Sequence, residues 1–195
     1  MTAVPKPSEC ITPEEYLEGE RLATIRHEYV DGRVYAMAGA SDDHNRIAGN
    51  IFATLHAALS GKRCEPFIND MKVKIPPAFA DVFYYPDVLV ACAPKDDAKY
   101  YRERPAIIFE VISPDTERTD RREKAIAYRQ ISTVKVYVLV EQDRMAVTLQ
   151  RRATKGWSNE TVEGPNALLK LPEISVEIPL KRIYQRTAAS NAHRS

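Results

Sequence analysis

Tyr85-Pro86-Asp87-Val88-Leu89-Val90 and Ile107-Ile108-Phe109-Glu110-Val111-Ile112-Ser113 are the stretches that decide how this chain folds. Both are apolar and rich in β-branched or aromatic residues, the composition of a buried strand. Each nevertheless carries one carboxylate, Asp87 in the first and Glu110 in the second. An ionised carboxylate taken out of water costs roughly several kcal/mol unless it is paired or ligates a metal. One such acid alone is equally well explained by a loop cap or an arginine partner. Two of them point to a shared task, and oxygen ligands on rigid strands suit a hard divalent ion such as Mg²⁺ or Mn²⁺. If both acids crowd one site, removing either should relieve like-charge repulsion and raise stability in metal-free buffer.

The following segment, Asp120-Arg121-Arg122-Glu123-Lys124-Ala125-Ile126-Ala127-Tyr128-Arg129, is predicted to be a helix capped by Asp120. Its Asp120, Lys124 and Tyr128 recur at intervals of four and so stack along one face. Upstream, Glu28 precedes Tyr29-Val30-Asp31-Gly32-Arg33-Val34-Tyr35, where Asp-Gly between strand-like pieces signals a hairpin. His44 stands at the start of the next helical pattern.

The ordered set Pro86-Asp87, Glu110-Val111-Ile112-Ser113-Pro114 and Asp120/Lys124/Tyr128 resembles the Uma-type restriction-endonuclease family, a bacterial branch of the PD-(D/E)XK nuclease superfamily. Glu28, the Asp31-Gly32 hairpin, His44 and the strand Val136-Tyr137-Val138-Leu139-Val140 extend the likeness over residues 12 to 184. One position departs from the superfamily pattern. Two residues after Glu110, where many of its enzymes keep a lysine, stands Ile112. Lys124 on the helix is then the substitute, since a four-carbon stem can deliver an ammonium from a neighbouring element. A solvated ion pair of Lys124 with Asp120 is the alternative.

The resemblance implies a Mg²⁺- or Mn²⁺-dependent endonuclease hydrolysing phosphodiester bonds in DNA, with RNA an open alternative, and a homodimer. Asp87, Glu110 and the Val111 carbonyl would hold the metal. Lys124 would orient or deprotonate the attacking water, or stabilise the pentacoordinate phosphorus. Glu28 would serve metal or water, and His44 would touch metal or phosphate or merely cap its helix. Asp120 and Tyr128 would orient Lys124 through hydrogen bonds. Arg121 and Arg122, in a local basic cluster, would face the substrate. A solvated helix face explains that cluster as well. Two other readings compete: a catalytically inactive nucleic-acid-binding module of the same fold, and a structural dimer whose acids form only ion pairs.

Bulk properties set the frame. The chain has 195 residues, enough for one core, and is read as one nuclease domain over 1–187 with small, polar residues at 188–195 expected as a disordered tail. A formal net charge of +1 gives no overall basic footprint for a duplex, so any affinity must come from local clusters or a dimer. No apolar run approaches the ~20 residues of a membrane span. The first residues lack the apolar core of a secretory signal, so a cytoplasmic protein is expected. Cys10, Cys64 and Cys92 are odd in number and far apart, which argues against both a disulfide framework and a zinc cluster and fits a reducing cytoplasm.

Along the chain, Thr12-Pro13-Glu14-Glu15 predicts a capping box, and Ser41 an N-cap for an amphipathic helix ending near Gly61. Residues 63–76 read as extended with a turn at Asn69-Asp70, 82–93 and 106–113 as the two acid-bearing strands, and 134–140, 146–151 and 157–162 as further strands. Short strands over 167–180 and a closing turn or helix at 181–187 complete the order. Strands interleaved with helices predict an α/β (α+β) architecture: a restriction-endonuclease-like mixed central sheet flanked by helices.

Overall fold

A computed structural model of the chain describes residues 10–76, 81–92, 98–112 and 119–191. Ser113, Pro114 and Arg118 lie outside the described residues, as do the side chains of Asp120 and Arg121.

The first helix, α1 (Pro13–Glu20), starts on the expected capping box: Glu15 N–H donates to Thr12 Oγ1 (3.2 Å) and Thr12 N–H to Glu15 Oε2 (2.8 Å). β1 (His27–Val30) and β2 (Arg33–Ala36) form the predicted hairpin. Its two turn residues, Asp31 (φ 49°) and Gly32 (φ 79°), are both left-handed, the conformation that matches strand twist in a two-residue loop. α2 (Asp42–Leu59) begins at Ser41, whose hydroxyl accepts from His44 N–H, and buries Ile47, Ile51, Leu55 and Leu59 on one face.

β3 (Glu65–Ile68) and β4 (Lys72–Ile75) follow, joined through Asn69 at φ 56°. The single strand expected over 82–93 is instead two, β5 (Val82–Tyr84) and β6 (Val88–Ala91). Pro86 explains the break, because without an N–H it cannot continue a ladder. β7 (Tyr101–Arg102) lies between the two stretches expected as acid-bearing strands, and β8 (Pro105–Ile112) is buried at every position. A π-helical turn (Thr119–Lys124) runs into α3 (Ala125–Gln130). The expected plain α-helix from Asp120 therefore gives way to a wider turn. β9 (Val136–Glu141), β10 (Ala146–Arg152), β11 (Trp157–Glu163), β12 (Leu168–Leu171), β13 (Val176–Pro179), α4 (Leu180–Ile183) and α5 (Ala188–Asn191) complete the order.

Two mixed sheets carry the fold: five strands ordered β2-β1-β5-β4-β7 and six ordered β11-β10-β9-β8-β6-β3, with β12-β13 a separate pair. The mixed α+β architecture expected from the sequence is what forms. β8 and β9 are parallel, so the chain must cross over between them, and the π turn and α3 make that crossover.

The alternation of β8 sorts its side chains between two cores. Ile107, Phe109 and Val111 pack with α2 and with Val136, Val138 and Val140. Ile108 and Ile112 face the other way, toward Leu139, Val73, Tyr84 and Tyr128. Glu110 shares the parity of Ile108 and Ile112 and so points at the second core, where α3 and the five-stranded sheet meet.

Cys64 and Cys92 form a disulfide, contrary to the expectation from sequence. They are 28 residues apart in sequence but only 4.0 Å apart at Cα, because β3 pairs with β6 and they extend its Glu65–Ala91 register. Cysteine usage is thereby removed as an argument for a reducing compartment. Cys10 is the free thiol, and it is exposed.

Candidate active site

The crossing from β5 to β6 puts Asp87 just ahead of β6, beside the C-terminal end of β8. The β6–β8 ladder ends at Val88–Phe109. Beyond it, Val111 N–H donates to Asp87 Oδ2 at 2.7 Å. Asp87 Oδ1 lies 2.8 Å from His44 Nε2 in the first turn of α2. His44 therefore does two things: its N–H meets the Ser41 cap, and its ring reaches Asp87. Asp87 is held from two elements at once, which fixes its orientation.

Glu110 is only 3% exposed. Its Oε1 accepts from Tyr128 Oη at 3.0 Å and stands 3.5 Å from Lys124 Nζ. Lys124 is also buried and pairs more closely with Glu28 Oε1, at 2.9 Å. The same Glu28 oxygen accepts from Tyr85 N–H at 3.3 Å, and the Tyr84 ring lies 5.5 Å from the ammonium. Desolvation first and the Glu28 charge second push the Tyr84 hydroxyl up to about 12, with the Lys124 ammonium opposing them. Desolvation, followed by the Glu110 charge, holds Tyr128 well above its usual range, so the phenol remains a proton donor to Glu110.

Glu28 on β1, Asp87 before β6, Glu110 on β8, Lys124 ahead of α3 and His44 on α2 thus come from both sheets and two helical segments. Tyr128 closes the group from α3. Ile112 packs on the same face as Glu110, where a strand lysine would stand, and Lys124 reaches Glu110 from the crossover instead. Lys124 is buried, not solvated, and pairs with Glu28 and Glu110. Arg122 is exposed on the π turn. Val111 contributes its N–H to Asp87, a contact the sequence did not suggest. The Tyr85 N–H contact to Glu28 is a backbone interaction that side-chain patterns do not signal.

A family model described as "Uma2: Putative restriction endonuclease" matches residues 13–181. The chain belongs to that family. Two Synechocystis sp. proteins named as uncharacterized are similar to it. Slr1290 is 31% identical over 91% of this chain and 93% of its own length. Sll1609 is 32% identical over 80% of this chain and 90% of its own. A crystal structure described as a putative nuclease belonging to DUF820, from Anabaena variabilis, superposes with a TM-score of 0.71. It is 18% identical over 89% of this chain and 97% of that one, so it speaks to the fold alone. The Uma2 chain thus has a restriction-endonuclease-like fold.

Two carboxylates, Glu28 and Glu110, face Lys124, and Asp87 binds the N–H of Val111, the residue after Glu110, so the donors are oxygen-rich, which suits a hard divalent cation in kind. Among the described residues, however, no group of three or more His, Cys, Asp and Glu side chains stands ready to hold an ion. Both Asp87 oxygens already accept hydrogen bonds from within the fold.

Tyr128→Phe tests the geometry without touching a charge. It leaves buried Glu110 without its 3.0 Å hydroxyl donor, and should lower unfolding free energy by about 1–3 kcal/mol in urea denaturation. Unchanged stability would mean that this bond is not formed in solution.

Proposed function

We propose that this Uma2 protein is a divalent-metal-dependent endonuclease that hydrolyses phosphodiester bonds in DNA. What supports the reading above all is the convergence of Glu28, Glu110 and Lys124, far apart in sequence, on one secluded polar cluster, with Asp87 bound to the N–H of the residue after Glu110. Family membership points the same way. In this reading Asp87 and Glu110 hold Mg²⁺ or Mn²⁺, with the Val111 carbonyl as a further donor. The bound ion supplies a water of lowered pKa and relieves charge at the phosphoryl oxygens.

The chain's own groups do the rest. Lys124, an ammonium with donors only, donates toward the attacking water or a phosphoryl oxygen. Glu28 accepts from that lysine and steers it. Tyr128 keeps Glu110 pointed inward, and His44 keeps Asp87 from rotating. Water adds to phosphorus as the P–O bond to the leaving sugar breaks, and the departing oxygen ends protonated.

Supercoiled plasmid incubated with Mg²⁺ or Mn²⁺ is expected to be relaxed or linearised, and to remain intact in EDTA. Plasmid and RNA both left intact under every metal condition would favour the second reading, a nucleic-acid-binding module of the same fold. The occupied oxygens of Asp87 are the observation that favours that reading.

Two-strand cleavage needs two active sites or two visits, so a two-fold dimer is part of the proposal, with Arg121 and Arg122 toward the substrate. Light scattering should return about twice 22.1 kDa. A monomer at micromolar concentration would leave single-strand nicking as the activity. No helix among the described residues is long and apolar enough to cross a membrane. A DNA substrate would go with the cytoplasm expected from sequence.

A further inference from the structure

A second polar assembly lies on the far side of Tyr85 from Glu28. Lys72, opening β4, is 6% exposed, and its Nζ donates to Tyr85 Oη at 2.9 Å. Tyr85 Oη donates in turn to Glu20 Oε1 at 2.9 Å. That carboxylate also accepts from His27 N–H at 2.9 Å, while its other oxygen lies 3.1 Å from His27 Nδ1. Desolvation lowers the Lys72 pKa from its usual 10.5, with Glu20 opposing. The catalytic proposal uses none of Lys72, Glu20 and His27.

This network is not sealed in a core. It floors an open cavity of about 470 Å³. Tyr100 forms a wall of that cavity and remains 43% exposed. Its ring has the Arg21 guanidinium 5.2 Å from its centroid and Lys99 Nζ at 5.5 Å. The loop after α1 adds Ile25 to the lining, 57% exposed. On the rim Arg26 is engaged by Asp70. A partly exposed aromatic ring, an apolar neighbour, a floor offering both donors and acceptors, and basic side chains over the ring are the requirements for holding one planar, heteroatom-edged ring attached to an anion.

We propose that this cavity is a nucleobase subsite, in which one base of a nucleic-acid strand stacks on Tyr100 and presents its edge to Lys72, Tyr85 and Glu20. The attached phosphate lies toward Arg21. Tyr85 joins this subsite to the candidate active site, since its N–H donates to Glu28 and it stands two residues before Asp87. The base held is therefore next to the phosphate under attack. This assignment rests on the nuclease reading for its polymer, but its test does not require cleavage.

The test is fluorescence anisotropy of a labelled single-stranded DNA oligonucleotide titrated with full-length protein in EDTA, with an RNA of the same sequence as a second arm. Tyr100→Ala should weaken binding about tenfold, the scale of losing one stacked base. Tyr100→Phe, which keeps the ring, should bind within about twofold of wild type, because stacking needs the ring and not the hydroxyl. Both variants should melt like the parent, because the side chain is exposed. Binding of either polymer with this contrast supports the subsite. No binding of either polymer, or a Tyr100→Ala variant that binds like wild type, would overturn it. Loss of the nuclease reading appears separately, as plasmid left intact with metal while the binding contrast persists.

Discussion

Glu110→Ala and Asp87→Ala are each expected to abolish metal-dependent plasmid cleavage, a fall of about a thousandfold or more in turnover, beyond what a lone general acid–base group contributes. The two variants should differ in stability. Glu110 is buried with Tyr128 and Lys124 on one oxygen, so its removal leaves the Tyr128 hydroxyl without its acceptor, while Lys124 keeps Glu28 at 2.9 Å. A buried hydroxyl left without its partner costs about 1–3 kcal/mol. The relief of like-charge repulsion expected from sequence is outweighed at Glu110, because the lysine already stands among the acids. Glu110→Gln and Asp87→Asn keep size and hydrogen bonding, and separate loss of ligand from loss of fold. Wild-type turnover and unchanged Mn²⁺ affinity by calorimetry in both conservative variants would sink the assignment.

Lys124→Met should cut turnover by roughly a hundredfold, the usual scale for a positioned proton donor or acceptor. The loss should appear in kcat and leave KM nearly unchanged, because the group acts on the reacting atoms and not on strand binding. Mn²⁺ affinity should hold or rise, since the ammonium at 2.9 Å from Glu28 and 3.5 Å from Glu110 competes with any cation for those oxygens. Lys124→Arg, still cationic but wider, should restore little. Turnover equal to wild type in the methionine variant would return Lys124 to a purely structural ion pair.

Several elements were legible from local chemistry alone. The Thr12–Glu15 capping box, the Asp31-Gly32 turn and the Ser41 cap each depend on a few neighbouring residues, and each formed as written. The acid-bearing strand through Glu110 was equally plain, because an unbroken run of β-branched and aromatic residues has few other folds open to it. The failures share a different cause. The run from Val82 to Ala93 was read as one strand, since strand propensity carries no information on which sheet a segment joins. The disulfide was missed because Cys64 and Cys92 become neighbours only through β3–β6 pairing. His44 could be narrowed to three roles from its position, and only its 2.8 Å approach to Asp87 shows that the cap and the ring contact coexist.

By itself, then, the sequence determined the ingredients: the alternation that forms the strands, the helix starts, the two carboxylates on apolar runs and the missing lysine at Ile112. Those follow from interactions within a few residues of one another, where backbone geometry and side-chain type suffice. Only the tertiary structure decided that Lys124 pairs with Glu28 as well as Glu110, that Val111 N–H and His44 share Asp87, and that Lys72, Tyr85 and Glu20 form a floor beneath Tyr100. Each of these joins residues from separate elements, and where two such side chains meet depends on strand order and crossover path, which no local pattern encodes.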